Sequence, residues 1–232
     1  MTKLSALKII AHISTDFTDK FGIPRQSGRV DTLGGVIRFV PEFRSHEAVR
    51  GLDGFSHLWL IWGFSGNRDT GDSWSPTVRP PRLGGNRRMG VFATRSPYRP
   101  NPIGLSCVKL ERVETTGHDA PLIYVSGVDL MDGTPIYDIK PYVPHADCRP
   151  EAESGFAGEF VDYRLTVDFP EDLLALIPES KRKTVCDVLA EDPRPSYQDD
   201  SERVYGMTFA GFEIGFTVDG SLLTVKRVNK LQ

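Results

Sequence analysis

Six short segments rich in β-branched and apolar residues recur through the first 130 residues, and no long amphipathic helix separates them. Gly, Pro and polar residues bound each segment, as they commonly bound strands. Strands that follow one another without crossover helices favour an antiparallel sheet over repeated β-α-β units. We therefore predict a mainly β protein whose core is an antiparallel β-barrel. The predicted strands span residues 7–13, 36–40, 55–64, 89–95, 106–113 and 122–130.

The pattern changes in the last third of the chain. Residues 159–169 have the composition of a further strand. Pro170 and Pro178 each open a short helical pattern, since proline is tolerated in the first turn of a helix. Residues 207–228 alternate like a β-hairpin with its turn at Asp219-Gly220. These patterns predict a small α+β region after the barrel.

The formal net charge of -3 hides an asymmetry between the two parts of the chain. Residues 1–150 carry nineteen Lys and Arg against fifteen Asp and Glu, whereas residues 151–232 carry nine against sixteen. We predict a barrel domain over residues 1–150 and a small α+β domain over residues 151–232. We expect an anionic partner to bind the first of them.

Residues 76–104, here called the basic segment, hold six Arg, six Pro and four Gly and no acidic residue. Guanidinium groups bind phosphates in a bidentate manner or stack on bases, and Phe92 and Tyr98 add rings for stacking. The alternative is a rigid surface loop with solvated charges. The pattern favours a nucleic-acid partner, and the predicted anion-binding residues are Arg79, Arg82, Arg87, Arg88, Arg95 and Arg99.

Two further segments contain candidate site residues. In the first, Asp132-Gly133-Thr134-Pro135 has turn chemistry, and Gly133 lets backbone amides approach a ligand. Asp138 and Lys140 follow two residues apart, so they face the same side of an extended strand and can pair. An ordinary strand and turn with an ion pair is the alternative. The second segment, Ile-Pro-Arg-Gln at 23–26, is a weak signal by itself.

The number and spacing of cysteines and the length of apolar runs argue against several classes of protein. Cys107, Cys148 and Cys186 are far apart and odd in number, which argues against a disulfide framework and against a zinc site. We expect no metal. No apolar run reaches the length of a membrane span, and residues 1–15 lack a clear signal-peptide pattern, so we expect a cytoplasmic protein with no membrane partner.

Taken together and in this order, five segments resemble the TsaA-like or TrmO family of tRNA N6-threonylcarbamoyladenosine methyltransferases. Motifs this long and dense are highly specific, and they extend from the predicted barrel into the C-terminal part. The segments are FGIPRQ (21–26), VRGLDGFSHLWL (49–60), the whole basic segment (76–104), DLMDGTPIYDIKPY (129–142) and AEDPRPSY (190–197).

The resemblance implies a dimeric β-barrel methyltransferase that uses S-adenosylmethionine. The substrate implied is N6 of threonylcarbamoyladenosine next to the tRNA anticodon, so the partner is the anticodon stem-loop. The glycine pairs at 34–35 and 84–85 do not form the dinucleotide fingerprint, which agrees with a non-Rossmann cofactor site. Two alternatives stay open: a non-catalytic tRNA-binding protein with the same basic face, and a methyltransferase with a different RNA or small substrate.

Site residues follow from the resemblance, position by position. Ser65 and Gly66 align where relatives can carry a His-Gln pair. As a hypothesis for catalysis, Asp138 or Tyr137 accepts the substrate proton and Lys140 stabilises the developing anion. The predicted substrate-binding residues are Arg79, Arg82, Arg87, Arg88, Tyr98 and Arg99. The predicted cofactor-binding residues are Pro24, Arg25, Gln26, Ser65, Gly66, Arg95, Leu105, Asp132, Gly133, Thr134 and Pro135.

Overall fold

Six antiparallel strands close into a barrel in the order β1-β2-β7-β6-β3-β8. The structure is a computed structural model, and it describes residues 7–65, 74–80, 87–194 and 200–231. This confirms the predicted mainly β fold with an antiparallel barrel core. The barrel strands are β1 (Ala11–Thr15), β2 (Gly34–Phe39), β3 (His57–Gly63), β6 (Ile103–Glu114), β7 (Leu122–Ser126) and β8 (Thr134–Pro141). A separate two-stranded ribbon contains β4 (Thr77–Val78) and β5 (Met89–Gly90).

Alternation of side chains along the strands fills the interior of the barrel. In β3, for example, Leu58, Leu60 and Trp62 are buried, whereas the residues between them are partly exposed. The first and last barrel strands in the sequence close the ring, because Ala11 of β1 pairs with Ile136 of β8. A small barrel closed in this way is a packed core with no free sheet edge, so ligands bind at its ends.

The C-terminal part forms a second sheet in the order β10-β11-β12-β9, and β9 is parallel to β12. Helices precede β10, and none of the helices in the described residues is long and apolar enough to cross a membrane. The strands are β9 (Thr166–Asp168), β10 (Tyr205–Phe209), β11 (Phe212–Asp219) and β12 (Leu222–Lys230). The α-helices of this part are α2 (Glu171–Leu174) and α3 (Glu179–Ala190), and a short α1 (Pro144–Asp147) precedes it.

Helices α2 and α3 begin directly after Pro170 and Pro178, as the sequence predicts. The predicted strand at 89–95 is wrong beyond Gly90, because the chain turns into a 3-10 helix over Val91–Ala93. The predicted strand at 159–169 is also wrong over most of its length. There a 3-10 helix spans Gly155–Phe160, and only Thr166–Asp168 is extended.

The second sheet packs against one end of the barrel. The rings of Phe17 and Phe209 meet edge to face with centroids 5.4 Å apart, and both side chains are fully buried. Asp16 accepts a hydrogen bond from the backbone N–H of Ala210 through its carbonyl, and its carboxylate pairs with Lys181 at 2.5 Å. These contacts continue the core from the barrel into the C-terminal part.

Candidate active site

A large open cleft, about 2220 Å³ in volume, lies beside one end of the barrel. The chain around residues 20–29, the ends of β3 and β6, and the basic segment form much of its wall. Residues 153–157, Val161 and Glu191 of the C-terminal part complete it. The cleft therefore brings together residues from four of the five sequence segments on which the family resemblance rests, those at 21–26, 76–104, 129–142 and 190–197.

Residues 91–104 of the basic segment lie along the cleft, and local side-chain hydrogen bonds hold the backbone between Val91 and Arg99. The hydroxyl of Thr94 donates to the carbonyl of Val91 at 2.8 Å. Arg99 Nη1 donates to the carbonyl of Thr94 at 3.2 Å. The backbone N–H of Tyr98 donates to Ser96 Oγ at 3.2 Å. These bonds fix Arg95, Tyr98 and Arg99 on a single connected turn.

Exposed aromatic rings lie among these arginines at the mouth of the cleft. The side chain of Phe92 is 71% exposed, and its ring lies 6.0 Å from that of Trp74. The guanidinium of Arg99 sits 6.0 Å from the Phe92 ring, and Tyr98 is also exposed. Exposed rings beside guanidinium groups are the surface on which nucleic-acid bases stack.

The loop that contains Ile-Pro-Arg-Gln is tied across the end of the barrel. Ser27 Oγ accepts a hydrogen bond from the backbone N–H of Cys107 in β6 at 3.0 Å. The N–H of Gly28 donates to the carbonyl of Gly127 at 2.9 Å. Gln26 Oε1 accepts a hydrogen bond from Arg95 Nη1, which joins this loop to the basic segment.

The turn that starts at Asp132 is anchored to β1. Asp132 Oδ1 accepts the backbone N–H of Thr15 at 3.0 Å, and the N–H of Gly133 donates to the carbonyl of Ile13 at 2.8 Å. Gly133 has φ +75°, a left-handed conformation that suits glycine. The hydroxyl of Thr134 donates to the carbonyl of Met131 at 2.7 Å, and both residues line the cleft.

A chain of buried polar groups, absent from the sequence predictions, ends at the barrel side of the cleft. Trp62 Nε1 donates to Ser106 Oγ at 2.9 Å, and the Ser106 hydroxyl donates to Asp129 Oδ1 at 2.5 Å. Burial raises the pKa of Asp129 to about 6, and hydrogen bonds from Ser106 and from backbone groups, together with the charge of Arg95, oppose that rise. Trp62 and Asp129 both line the cleft.

The sequence carried one signal for this polar chain. Gly104, Ser106, Val108 and Leu110 occupy the inward positions of β6, so a serine stands in an otherwise apolar buried row. A buried hydroxyl needs a hydrogen-bond partner. For Ser106 the partner is the carboxylate of Asp129, in the segment at 129–142.

The cleft gathers most of the residues predicted to bind ligands. Asp132, Gly133, Pro135 and Arg87 are described but are not among the lining residues, and Gly66 and Arg82 lie outside the described residues. The predicted cofactor-binding residues that line the cleft are Pro24, Arg25, Gln26, Ser65, Arg95, Leu105 and Thr134. The predicted substrate-binding residues that line it are Arg79, Arg88, Tyr98 and Arg99.

The three residues predicted to be catalytic are not among those that line the cleft. The carboxylate of Asp138 pairs with Lys140 at 2.9 Å and also accepts the backbone N–H of Ile139 at 2.9 Å. The ring of Tyr137 lies over Gly63, where a side chain would overlap it. The catalytic roles of Tyr137, Asp138 and Lys140 stay predictions.

Comparison with known proteins places both parts of the chain in one family. The family model for the tRNA-methyltransferase O N-terminal domain matches residues 12–148, and that for the TrmO C-terminal domain matches residues 162–231. The chain is 42% identical to a tRNA (adenine(37)-N6)-methyltransferase of Escherichia coli K12, over 90% of this chain and 89% of that protein.

Two further matches agree with this placement. The chain is 42% identical to the putative S-adenosylmethionine-dependent methyltransferase RcsF of Pseudomonas aeruginosa, over 82% of this chain and 81% of that protein. A crystal structure of TrmO from P. aeruginosa superposes with a TM-score of 0.77 and 31% identity, and covers 99% of each chain.

Proposed function

This chain belongs to the tRNA-methyltransferase O family, and from that premise we propose that it transfers a methyl group from S-adenosylmethionine to N6 of adenine 37 in tRNA. We further propose that this adenine carries a threonylcarbamoyl group on N6 and that the protein grips the anticodon stem-loop. The main support for the proposal is the composition of the cleft. Guanidinium groups and exposed aromatic rings lie there beside polar groups at the end of the barrel.

The residues on the barrel side of the cleft fit S-adenosylmethionine, which carries a carboxylate, an ammonium group, an adenine and a sulfonium. Arg95 would hold the carboxylate, because a guanidinium has five N–H donors and the bond to Gln26 uses one of them. Pro24 and the exposed side chain of Leu105 offer apolar surface to the adenine. When bound, the cofactor supplies a methyl group activated by the positive sulfur.

The outer part of the cleft fits RNA. Arg79, Arg88 and Arg99 place positive charge along its rim, where they would bind backbone phosphates. Phe92 and Tyr98 expose ring faces on which unpaired bases of an anticodon loop would stack. Together these groups would hold the loop while one base enters the cleft.

We also propose that the protein is a cytoplasmic homodimer, with the binding sites in residues 1–150 and a small α+β domain in residues 151–232. The separate matches to an N-terminal and a C-terminal family model support the division. The exposed apolar side chain of Ile103, which lines the cleft, supports the coverage of this edge by a second copy. A molar mass in solution equal to one chain would overturn the dimer.

Mass spectrometry of tRNA nucleosides tests the reaction. We expect the purified protein, given S-adenosylmethionine and tRNA from cells that lack the enzyme, to add one CH₂ unit to N6-threonylcarbamoyladenosine. The matched control is tRNA without the threonylcarbamoyl group, which should gain nothing. If the protein binds tRNA but no nucleoside gains a methyl group, it is a non-catalytic tRNA-binding protein. A methyl group on a different nucleoside would identify another substrate.

Removal of one cleft arginine should weaken binding of every tRNA substrate alike. We expect Arg88→Ala to lower tRNA affinity several-fold and to reduce the slope of log K against log salt by about 1, because one phosphate contact is lost. Arg38→Ala is the control, since Arg38 is exposed on the outside of β2 and does not line the cleft. Equal salt slopes for the two variants in a filter-binding titration would remove Arg88 from the interface.

A further inference from the structure

The polar chain of Trp62, Ser106 and Asp129 has a defined direction. An indole N–H only donates, so Ser106 Oγ accepts from Trp62, and the one hydroxyl proton of Ser106 is then directed to Asp129 Oδ1. Ser106 is fully buried and Trp62 nearly so, which keeps water from replacing either partner. The arrangement therefore organises Asp129 as a hydrogen-bond acceptor.

The surroundings of Asp129 act in opposite directions on the ionisation of its carboxyl group. Burial disfavours the carboxylate, whereas donors from Ser106 and from the backbone of Ser27 and Asp129 favour it. The positive charge of Arg95 in the basic segment also favours the carboxylate. With a pKa of about 6, the carboxylate is ionised at neutral pH and still basic enough to take a proton.

The reaction needs such a group. N6 of the substrate adenine lies between a purine and a carbamoyl carbon, and both withdraw its electrons. It becomes a good nucleophile only as its remaining proton leaves. Asp129 lines the same cleft as Leu105, Thr134 and Arg95, and the charge of Arg95, which would hold the cofactor, acts on it. Asp138 is instead engaged with Lys140 and Ile139 and is not among the lining residues.

We propose that Asp129 is the catalytic base that accepts the N6 proton, and that Ser106 and Trp62 are positioning residues that orient its carboxylate. The inference rests on the proposed methyltransferase function. The N6–H bond breaks, its proton passes to the Asp129 carboxylate, and its electron pair forms the new nitrogen–carbon bond. The electrons of the broken carbon–sulfur bond stay on sulfur, so the positive charge lost there leaves as the proton.

Carbon-13 NMR titration of Asp carboxyl groups in the free protein tests the site without cofactor or RNA. Asp129, assigned by its absence from the Asp129→Asn spectrum, should titrate near pH 6. Ser106→Ala should move this midpoint to higher pH, because it removes a hydrogen bond that favours the carboxylate. Trp62→Phe keeps an aromatic ring and should move it in the same direction by less. A midpoint near 4 that Ser106→Ala does not move would overturn the inference.

Single-turnover kinetics then test the base. In the parent protein the methyl-transfer rate should rise with pH to a plateau, with a midpoint near 6. Asp129→Asn should lower the rate on the order of 100- to 1000-fold, while calorimetry shows unchanged affinity for S-adenosylmethionine. Ser106→Ala should shift the midpoint to higher pH, a change that a merely structural role would not cause.

Asp138→Asn is the comparison variant, since the hypothesis drawn from the sequence gives the proton to Asp138 or Tyr137. A larger loss of rate in Asp138→Asn than in Asp129→Asn would assign the base to Asp138 and overturn the inference. If the parent protein methylates tRNA and the Asp129→Asn variant keeps that rate, Asp129 is not the base, and the methyltransferase function stands. A parent protein without activity at any pH would instead contradict the proposed function, and the NMR midpoints would still report on the site.

Discussion

Glu191→Ala is expected to destabilise the folded protein by about 2–3 kcal/mol, because it leaves arginines without their buried counter-ion. The Glu191 side chain is only 5% exposed, and its carboxylate pairs with Arg29 at 2.8 Å and Arg164 at 3.2 Å. This loss of stability is smaller than the cost of breaking a fully buried ion pair, about 3–5 kcal/mol, because Arg164 is 49% exposed. Urea unfolding at neutral pH measures the loss.

The same change should weaken the junction between the barrel and the C-terminal part. Arg29 belongs to a barrel loop, and its Nη1 donates to the carbonyl of Val161, whereas Arg164 donates to the carbonyl of Arg29 at 2.8 Å. With Glu191 replaced, we expect the two parts to unfold less cooperatively, so that different probes give different midpoints.

A matched control is Glu213→Ala in the same C-terminal part. Glu213 pairs with Arg227 at 3.2 Å, and both side chains are at least 40% exposed. Exposed pairs of this kind contribute about 0–1 kcal/mol. If Glu191→Ala costs no more than Glu213→Ala, the buried carboxylate is not what joins the two parts.

Local patterns in the sequence were enough to predict the barrel but not its closure. Runs of apolar and β-branched residues bounded by Gly, Pro and polar residues identify β3, β6 and β7. The pairing of Ala11 with Ile136 depends on residues far apart in the chain. No local pattern encodes such a contact.

The two wrong strands fail for a common reason. In 89–95 and in 159–169 the apolar composition suits a strand, but tertiary contacts and local hydrogen bonds decide the backbone. After Gly90 the hydroxyl of Thr94 bonds to the carbonyl of Val91 and stabilises a turn that propensity does not reveal. The short extended stretch at Thr166–Asp168 exists because β12 supplies a parallel neighbour.

Sequence motifs identified residues that line the cleft, and the binding and catalytic roles of these motifs stay predictions. Arg95 and Thr134, both predicted to bind the cofactor, line the cleft. Asp129 was overlooked beside the more conspicuous Asp132 and Asp138. Its hydrogen-bond partner Ser106 lies 23 residues earlier in the chain. Only the barrel register brings the two together.

Gly104→Ala is expected to destabilise the barrel by about 2–3 kcal/mol, the cost of overpacking a filled core. Gly104 of β6 pairs directly with Trp62 of β3, and a methyl group there would overlap the middle of the indole ring. The ring cannot move aside easily, because it is nearly buried and packs against Phe64 with centroids 4.4 Å apart. Thermal unfolding should show a midpoint roughly 5–10 °C lower.

Gly104→Ala should also change the site, because displacement of the indole breaks its hydrogen bond to Ser106. We therefore expect the pKa of Asp129 to rise in this variant, as in Trp62→Phe, since the donor hydroxyl is no longer oriented. Gly90→Ala is the control, because a methyl group there meets open space. If both glycine variants unfold at the parental temperature, the close contact between β6 and the indole does not limit residue size at Gly104. Gly104 would then have no packing role.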